Sequence, residues 1–145
     1  MTEASTTLKK LTVQRRDELH EAPGQTAQAL RLSGVAVENT EVEGLWFGKV
    51  FTGPGEISGA HHHGLAETGG YVFKGRGFIR FGKRYEEIIY MEEGDFVYVP
   101  PFVPHIEGNA SRTEELVWLT TRTPGNIVVN LDDEDIAELE IDYQS

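Results

Sequence analysis

From residue 31 onward the chain falls into short runs rich in β-branched and aromatic residues, over 31–37, 45–52, 71–81 and 96–99, separated by glycine, proline, asparagine and aspartate. Alternation with a period of two is the signature of a strand with one buried face. A Gly82-Lys83 pair follows one such run, and Met91-Glu92-Glu93-Gly94-Asp95 reads as a second turn. Helical periodicity is almost absent. The pattern therefore predicts an all-β chain of antiparallel strands, folded as a sandwich or barrel whose mouth can hold a ligand between two sheets.

The two ends differ from this middle. Residues 132–140 form an acidic run with Ile136 and Leu139 three apart, which predicts a short surface helix or a solvated tail. Lys9, Lys10, Arg15 and Arg16 are interleaved with Leu11 and Val13, the pattern of an amphipathic edge strand that a partner copy can exchange. The expected organisation is a flexible start over 1–8, one domain over 9–131 and an acidic tail or short helix over 132–145.

Composition narrows the chemistry. A length of 145 residues suits a single core. There is no cysteine, so disulfides, thiolate nucleophiles and thiolate metal sites are excluded, and any metal must sit on imidazole and oxygen. Thirteen basic against 24 acidic residues leave a formal charge of -11, which repels nucleic acid and anionic membranes and argues against both as partners. No apolar run approaches the roughly 18 residues of a membrane span, and residues 1–7 carry no apolar segment of a secretory signal. A cytoplasmic protein is expected.

Four of the five histidines lie at His61-His62-His63 and at His105. Along a strand alternate side chains share a face, so His61 and His63 point into one cavity and His62 points away. That spacing suits two ligands of one metal.

The residues around them resemble the two motifs of the cupin superfamily. Gly55, His61, His63, Glu67 and Gly75 follow the first motif, and Gly94, Pro100, His105 and Asn109 the second, with Phe102 where the family has a glycine. The resemblance implies a cupin double-stranded β-helix, a jelly-roll barrel in a single domain. It also implies metal ligands at His61, His63, Glu67 and His105. One extra residue stands between Glu67 and Gly75, so counting back from Gly75 places Thr68 at the carboxylate position. A bulge would restore Glu67; otherwise His62 turned inward gives an all-nitrogen shell. One divalent ion per chain is expected, with zinc favoured over iron, nickel or manganese.

The run from His61 to Gly64, with Glu67-Thr68, Gly75-Arg76-Gly77 and residues 100–105, looks most like small one-domain cupins such as bacterial aromatic polyketide cyclases of the resistomycin pathway type. That likeness implies regiospecific aldol-type ring closure of a poly-β-ketone, delivered on an acyl carrier protein. Glu67 is the first candidate base and Glu107, two residues beyond His105, the second. Trp46, Phe47, Tyr71, Phe73, Phe78, Phe102 and Trp118 are expected in or near the walls of a pocket for an aromatic or polyketone substrate, with Tyr71 and Lys74 as contacts to its oxygens. The alternatives are a non-haem iron dioxygenase acting on a phenolic or diketone substrate, and a non-catalytic metal-bearing small-molecule binding module. A homodimer joined through sheet edges is expected.

Overall fold

The structure is a computed structural model that describes residues 8–144. Eleven strands build it: β1 (His20–Glu21), β2 (Leu30–Val35), β3 (Trp46–Thr52), β4 (His61–His62), β5 (Glu67–Lys74), β6 (Gly77–Phe81), β7 (Glu87–Met91), β8 (Phe96–Val99), β9 (His105–Asn109), β10 (Leu116–Thr123) and β11 (Val129–Asn130). They form a six-stranded sheet in the order β1-β2-β3-β10-β5-β8 and a five-stranded sheet in the order β11-β4-β9-β6-β7. The strands pair antiparallel throughout. This is the all-β jelly roll that the alternation and the motifs predict.

The run 71–81 resolves into two strands because Gly75 adopts φ +91°, a left-handed turn. A Cβ there would stand 2.6 Å from the carbonyl oxygen of Glu115, so a side chain has neither the torsion nor the space. The inward residues of β10 read Leu116, Trp118, Thr120 and Arg122. They lead from an apolar core of Val50, Val72, Val99, Leu116 and Trp118, closed by Ile79 and Met91 from the sheet opposite, to a polar region. That gradient along one strand places the chemistry away from the packing that supports it.

Residues 1–7 of the expected flexible start lie outside the described residues, and both ends of the described chain differ from the strand and the helix expected there. Residues 8–15 form no strand; Lys9 Nζ pairs with Glu43 at 2.8 Å and the Lys10 amide donates to Glu41 at 2.7 Å. No helix forms over 132–140 either. This segment runs largely extended across the five-stranded sheet, where Arg80 Nη2 donates to the Ala137 carbonyl and the Ala137 amide donates to Arg84 O at 2.8 Å. Further along, Arg76 Nη1 donates to Asp142 O at 2.6 Å, and the Gln144 amide donates to Ala110 O at 2.8 Å. Guanidinium groups that need acceptors thus draw the acidic segment out of a helix and lay it down as a strap.

Leu131 and Ile136 of this strap pack on Ala60, Tyr85 and Ile106. A chain ended at Leu131 leaves buried Arg80 with the Tyr85 carbonyl but without that of Ala137. It is expected to lose about 3 kcal/mol, the upper range for a hydrogen bond to a charged group. A thermal melt should show the midpoint about 10 °C lower; an unchanged midpoint would mean that the strap contributes nothing.

Candidate metal centre

β4 and β9 pair with His61 directly opposite His105, and the two imidazole centroids lie 4.3 Å apart. His63, two residues on and on the same face, completes the group at 5.0 Å from His61 and 5.1 Å from His105. All three are buried. The candidate ligand atoms of the three rings lie within 4.8 Å of one another.

Backbone carbonyls set the orientation of each ring. His61 Nδ1 stands 2.8 Å from Gly59 O, His63 Nδ1 2.7 Å from Ile127 O, and His105 Nδ1 3.0 Å from Val103 O. A carbonyl only accepts, so each Nδ1 carries the proton and donates, leaving the Nε2 lone pair free. Burial keeps all three neutral. It lowers the pKa of His61 to about 3, assisted by His105 and Arg31 and opposed by Glu107. It lowers His63, with Arg122 acting in the same direction, and also His105, where Glu107 opposes it.

Two arginines and a carboxylate surround the rings. Arg31 Nη2 lies 3.3 Å from both His61 Nε2 and Glu107 Oε1, while its Nη1 donates to Thr26 Oγ1 at 2.8 Å. Arg31 is fully buried, and its Nε has no partner among the described residues. Glu107 Oε1 is also 3.5 Å from His61 Nε2. Burial works to raise the pKa of Glu107, but the neighbouring His61, Arg31, His105 and Arg122 outweigh it and leave the carboxyl below its ordinary value. Arg122 Nη2 donates to His63 Nε2 at 3.1 Å, its Nε to Thr68 Oγ1 at 3.1 Å and its Nη1 to Asn126 Oδ1 at 2.8 Å. Burial, then repulsion from Arg31, lowers its pKa to about 9, so it stays charged at neutral pH.

The remaining sequence candidates stand elsewhere. Glu67 is exposed on the outer face of β5, where Tyr98 Oη donates to its carboxylate, and Thr68 is the inward residue. The register shift that would have to turn Glu67 inward lies at the other end of the strand, where Val117 pairs with Lys74 and Trp118 with Val72. The carboxylate that lies beside the histidines is that of Glu107, and Glu67 stands outside the group. His62 also points away; its Nδ1 accepts from the Gly64 amide at 2.9 Å and its ring faces Phe102 at 6.0 Å. Phe102 adopts φ +61°, which explains why the family motif favours glycine at that place.

The expected aromatic wall is largely dispersed. Phe47 and Phe73 are exposed, Tyr71 lies against Phe96 at 4.8 Å, and Lys74 is exposed. Trp46 approaches the polar cluster, with the Arg122 guanidinium 5.4 Å from its ring centroid. A cavity of about 280 Å³ reaches the cluster at His105 and is lined by Ile79, Phe81, Met91, Val97 and Val103. Arg31 and Arg122 went unread in the sequence, since an arginine on a strand ordinarily faces solvent.

The donor set fits a divalent ion. Three neutral imidazoles with fixed tautomers converge their free lone pairs, and a cationic guanidinium already stands opposite those of His61 and His63. In metal-free protein the same burial carries a pH cost. Below about pH 6.5 an unfolded imidazole takes up a proton that folded His61 refuses until about pH 3. Stability is therefore lost as pH falls through that window, with His61 alone contributing a slope of about 1.4 kcal/mol per pH unit. Urea titrations of chelator-treated protein between pH 7 and 5 should show the falling midpoint, and His61→Asn should make it shallower.

Comparison with known proteins agrees with this architecture. A model of the cupin domain matches residues 49–122. An uncharacterised protein with a double-stranded β-helix domain from Klebsiella pneumoniae subsp. pneumoniae MGH 78578 superposes with a TM-score of 0.61 at 15% identity, covering 81% of this chain and 93% of that one. KdgF from Halomonas sp. gives 0.60 at 16% identity, over 78% of this chain and 94% of its own. Oxalate decarboxylase from Bacillus subtilis gives 0.62 at 21% identity over 77% of this chain, which spans only 30% of that protein. No curated protein matches the sequence significantly. At these identities the structural likeness establishes the fold alone. The domain match over half the chain includes His61, His63 and His105, and this protein belongs to the cupin family.

Proposed function

We propose that this chain is a metal-dependent enzyme that stabilises the enolate of a carbonyl substrate, in the form of aldol-type ring closure of a poly-β-ketone to an aromatic ring. The observation that carries this reading is the position of Glu107, whose carboxylate oxygen stands 3.5 Å from His61 Nε2 inside a closed, neutral imidazole group. A divalent ion held by His61, His63 and His105 would supply Lewis-acid polarisation of a carbonyl. Glu107 is the group placed to accept a proton from the carbon between two carbonyls. Arg31 and Arg122 supply positive charge where the enolate oxygen develops. The apolar cavity beside His105 restricts how the chain folds, which favours one closure among many.

Elemental analysis combined with a substrate assay tests this. About one zinc per chain, no oxygen uptake, and a product lighter than the polyketone by one water would support cyclisation. Iron with oxygen uptake on a phenolic or diketone panel would replace it with the dioxygenase reading, which the same three imidazoles suit. Stoichiometric metal without turnover on either panel would favour a binding module.

A further inference from the structure

Arg122 is a buried cation without a carboxylate. It is 3% exposed, and its partners are Thr68 Oγ1, Asn126 Oδ1, His63 Nε2 and the Trp46 ring, all of them neutral. Among the described residues no acidic group lies within ion-pair distance of it, whereas Glu107 pairs with Arg31 at 3.3 Å. A charge taken out of water ordinarily requires a counter-charge. The Nη2 bond is also the one Arg122 would give up: a lone pair holds one acceptor bond, so any ion on His63 Nε2 displaces Nη2 and leaves it without an acceptor. The cavity that meets the cluster at His105 has walls of Ile79, Phe81, Met91 and Val97, so it accepts an apolar body but offers no second charge.

We propose that Arg122 is the anion-recognition residue of this centre, and that the ligand carries an oxyanion, either carboxylate or enolate, on a small apolar body. The inference rests on the reading of the histidine group as the binding centre. A guanidinium presents a fork of donors to two oxygens, and in a dry site that fork discriminates an anion from its neutral isostere.

Isothermal titration with benzoate, with the enolate of dimedone, and with neutral benzamide tests the inference on both chelator-treated and zinc-loaded protein. At least one anion should bind ten or more times tighter than benzamide in both forms. Preference for benzoate would identify a carboxylate ligand and preference for the dimedone anion an enolate. Arg122→Gln should remove at least tenfold of the anion affinity and change benzamide less than twofold. Should that variant fail to fold, Arg122→Lys keeps the charge without the fork and should retain a reduced preference; affinities unchanged in it would overturn the proposal. Equal binding of anion and amide, no binding of either anion, or a preference that survives Arg122→Gln would also overturn it. Anion preference in protein that takes up no metal would uphold Arg122 while removing the metalloenzyme reading, and metal uptake without anion preference would do the reverse.

Discussion

His105→Ala is expected to reduce bound metal from about one ion per chain to less than a tenth, while His62→Ala and Glu67→Gln retain it in full. His105 closes a triangle with the other two rings, 4.3 Å from His61 and 5.1 Å from His63, and its Nδ1 is engaged by Val103 O. Removing it leaves two imidazoles, too few for a closed site, and the loss should exceed the roughly 10- to 100-fold that follows loss of an outer partner. His62 and Glu67 are the contrast that gives the experiment its meaning. Both match the histidine and carboxylate chemistry of the motif, yet one bonds the Gly64 amide and the other Tyr98 Oη. Elemental analysis of the three variants beside the parent is sufficient. Loss of metal from Glu67→Gln as complete as from His105→Ala would show that the carboxylate turns inward when metal binds, and the placement described above would have to be revised.

Arg31→Leu is expected to cost about 4 kcal/mol, because it strands the buried Glu107 carboxylate without its guanidinium at 3.3 Å. For a chain of this length that corresponds to a fall of about 15 °C in melting temperature. The double variant Arg31→Leu/Glu107→Leu removes both charges and fills the space with apolar atoms, so it should recover most of the loss. A coupling of about 2 kcal/mol or more between the two substitutions, from urea denaturation of all four proteins, checks this. Additive effects would mean that the pair contributes no net interaction. The double variant should still bind metal through the three histidines, which separates the stability of the pair from the occupancy of the centre.

Much of the fold was legible because a strand has a period of two and its turns have chemical signatures. The expected runs 45–52 and 96–99 match β3 and β8 within a residue, and 71–81 divides at the Gly75 turn into β6 and the latter half of β5, which begins at Glu67. The inward pair His61 and His63 followed from the same period. Glu67 failed by that rule as well: one residue of offset exchanges the two faces of a strand, so Thr68 took the interior and Glu67 the solvent. Arg31 and Ser33 are buried while Leu30 is exposed, the reverse of what hydrophobicity alone assigns to β2. There the inner face belongs to the polar site, and hydrogen bonds to Thr26, Glu107 and Trp46 Nε1 replace apolar contact.

The sequence by itself determined the all-β class, the family through its two spaced motifs, and three of the residues at the centre, because those features depend on local period and on side-chain type along one strand at a time. Tertiary structure alone decided which carboxylate joins the histidines, that Arg31 from β2 and Arg122 from β10 meet them, and that the acidic end becomes a strap. Each of these depends on which faces of distant strands are brought together. A buried charge is stable only where that meeting supplies its partner, and no local pattern records it.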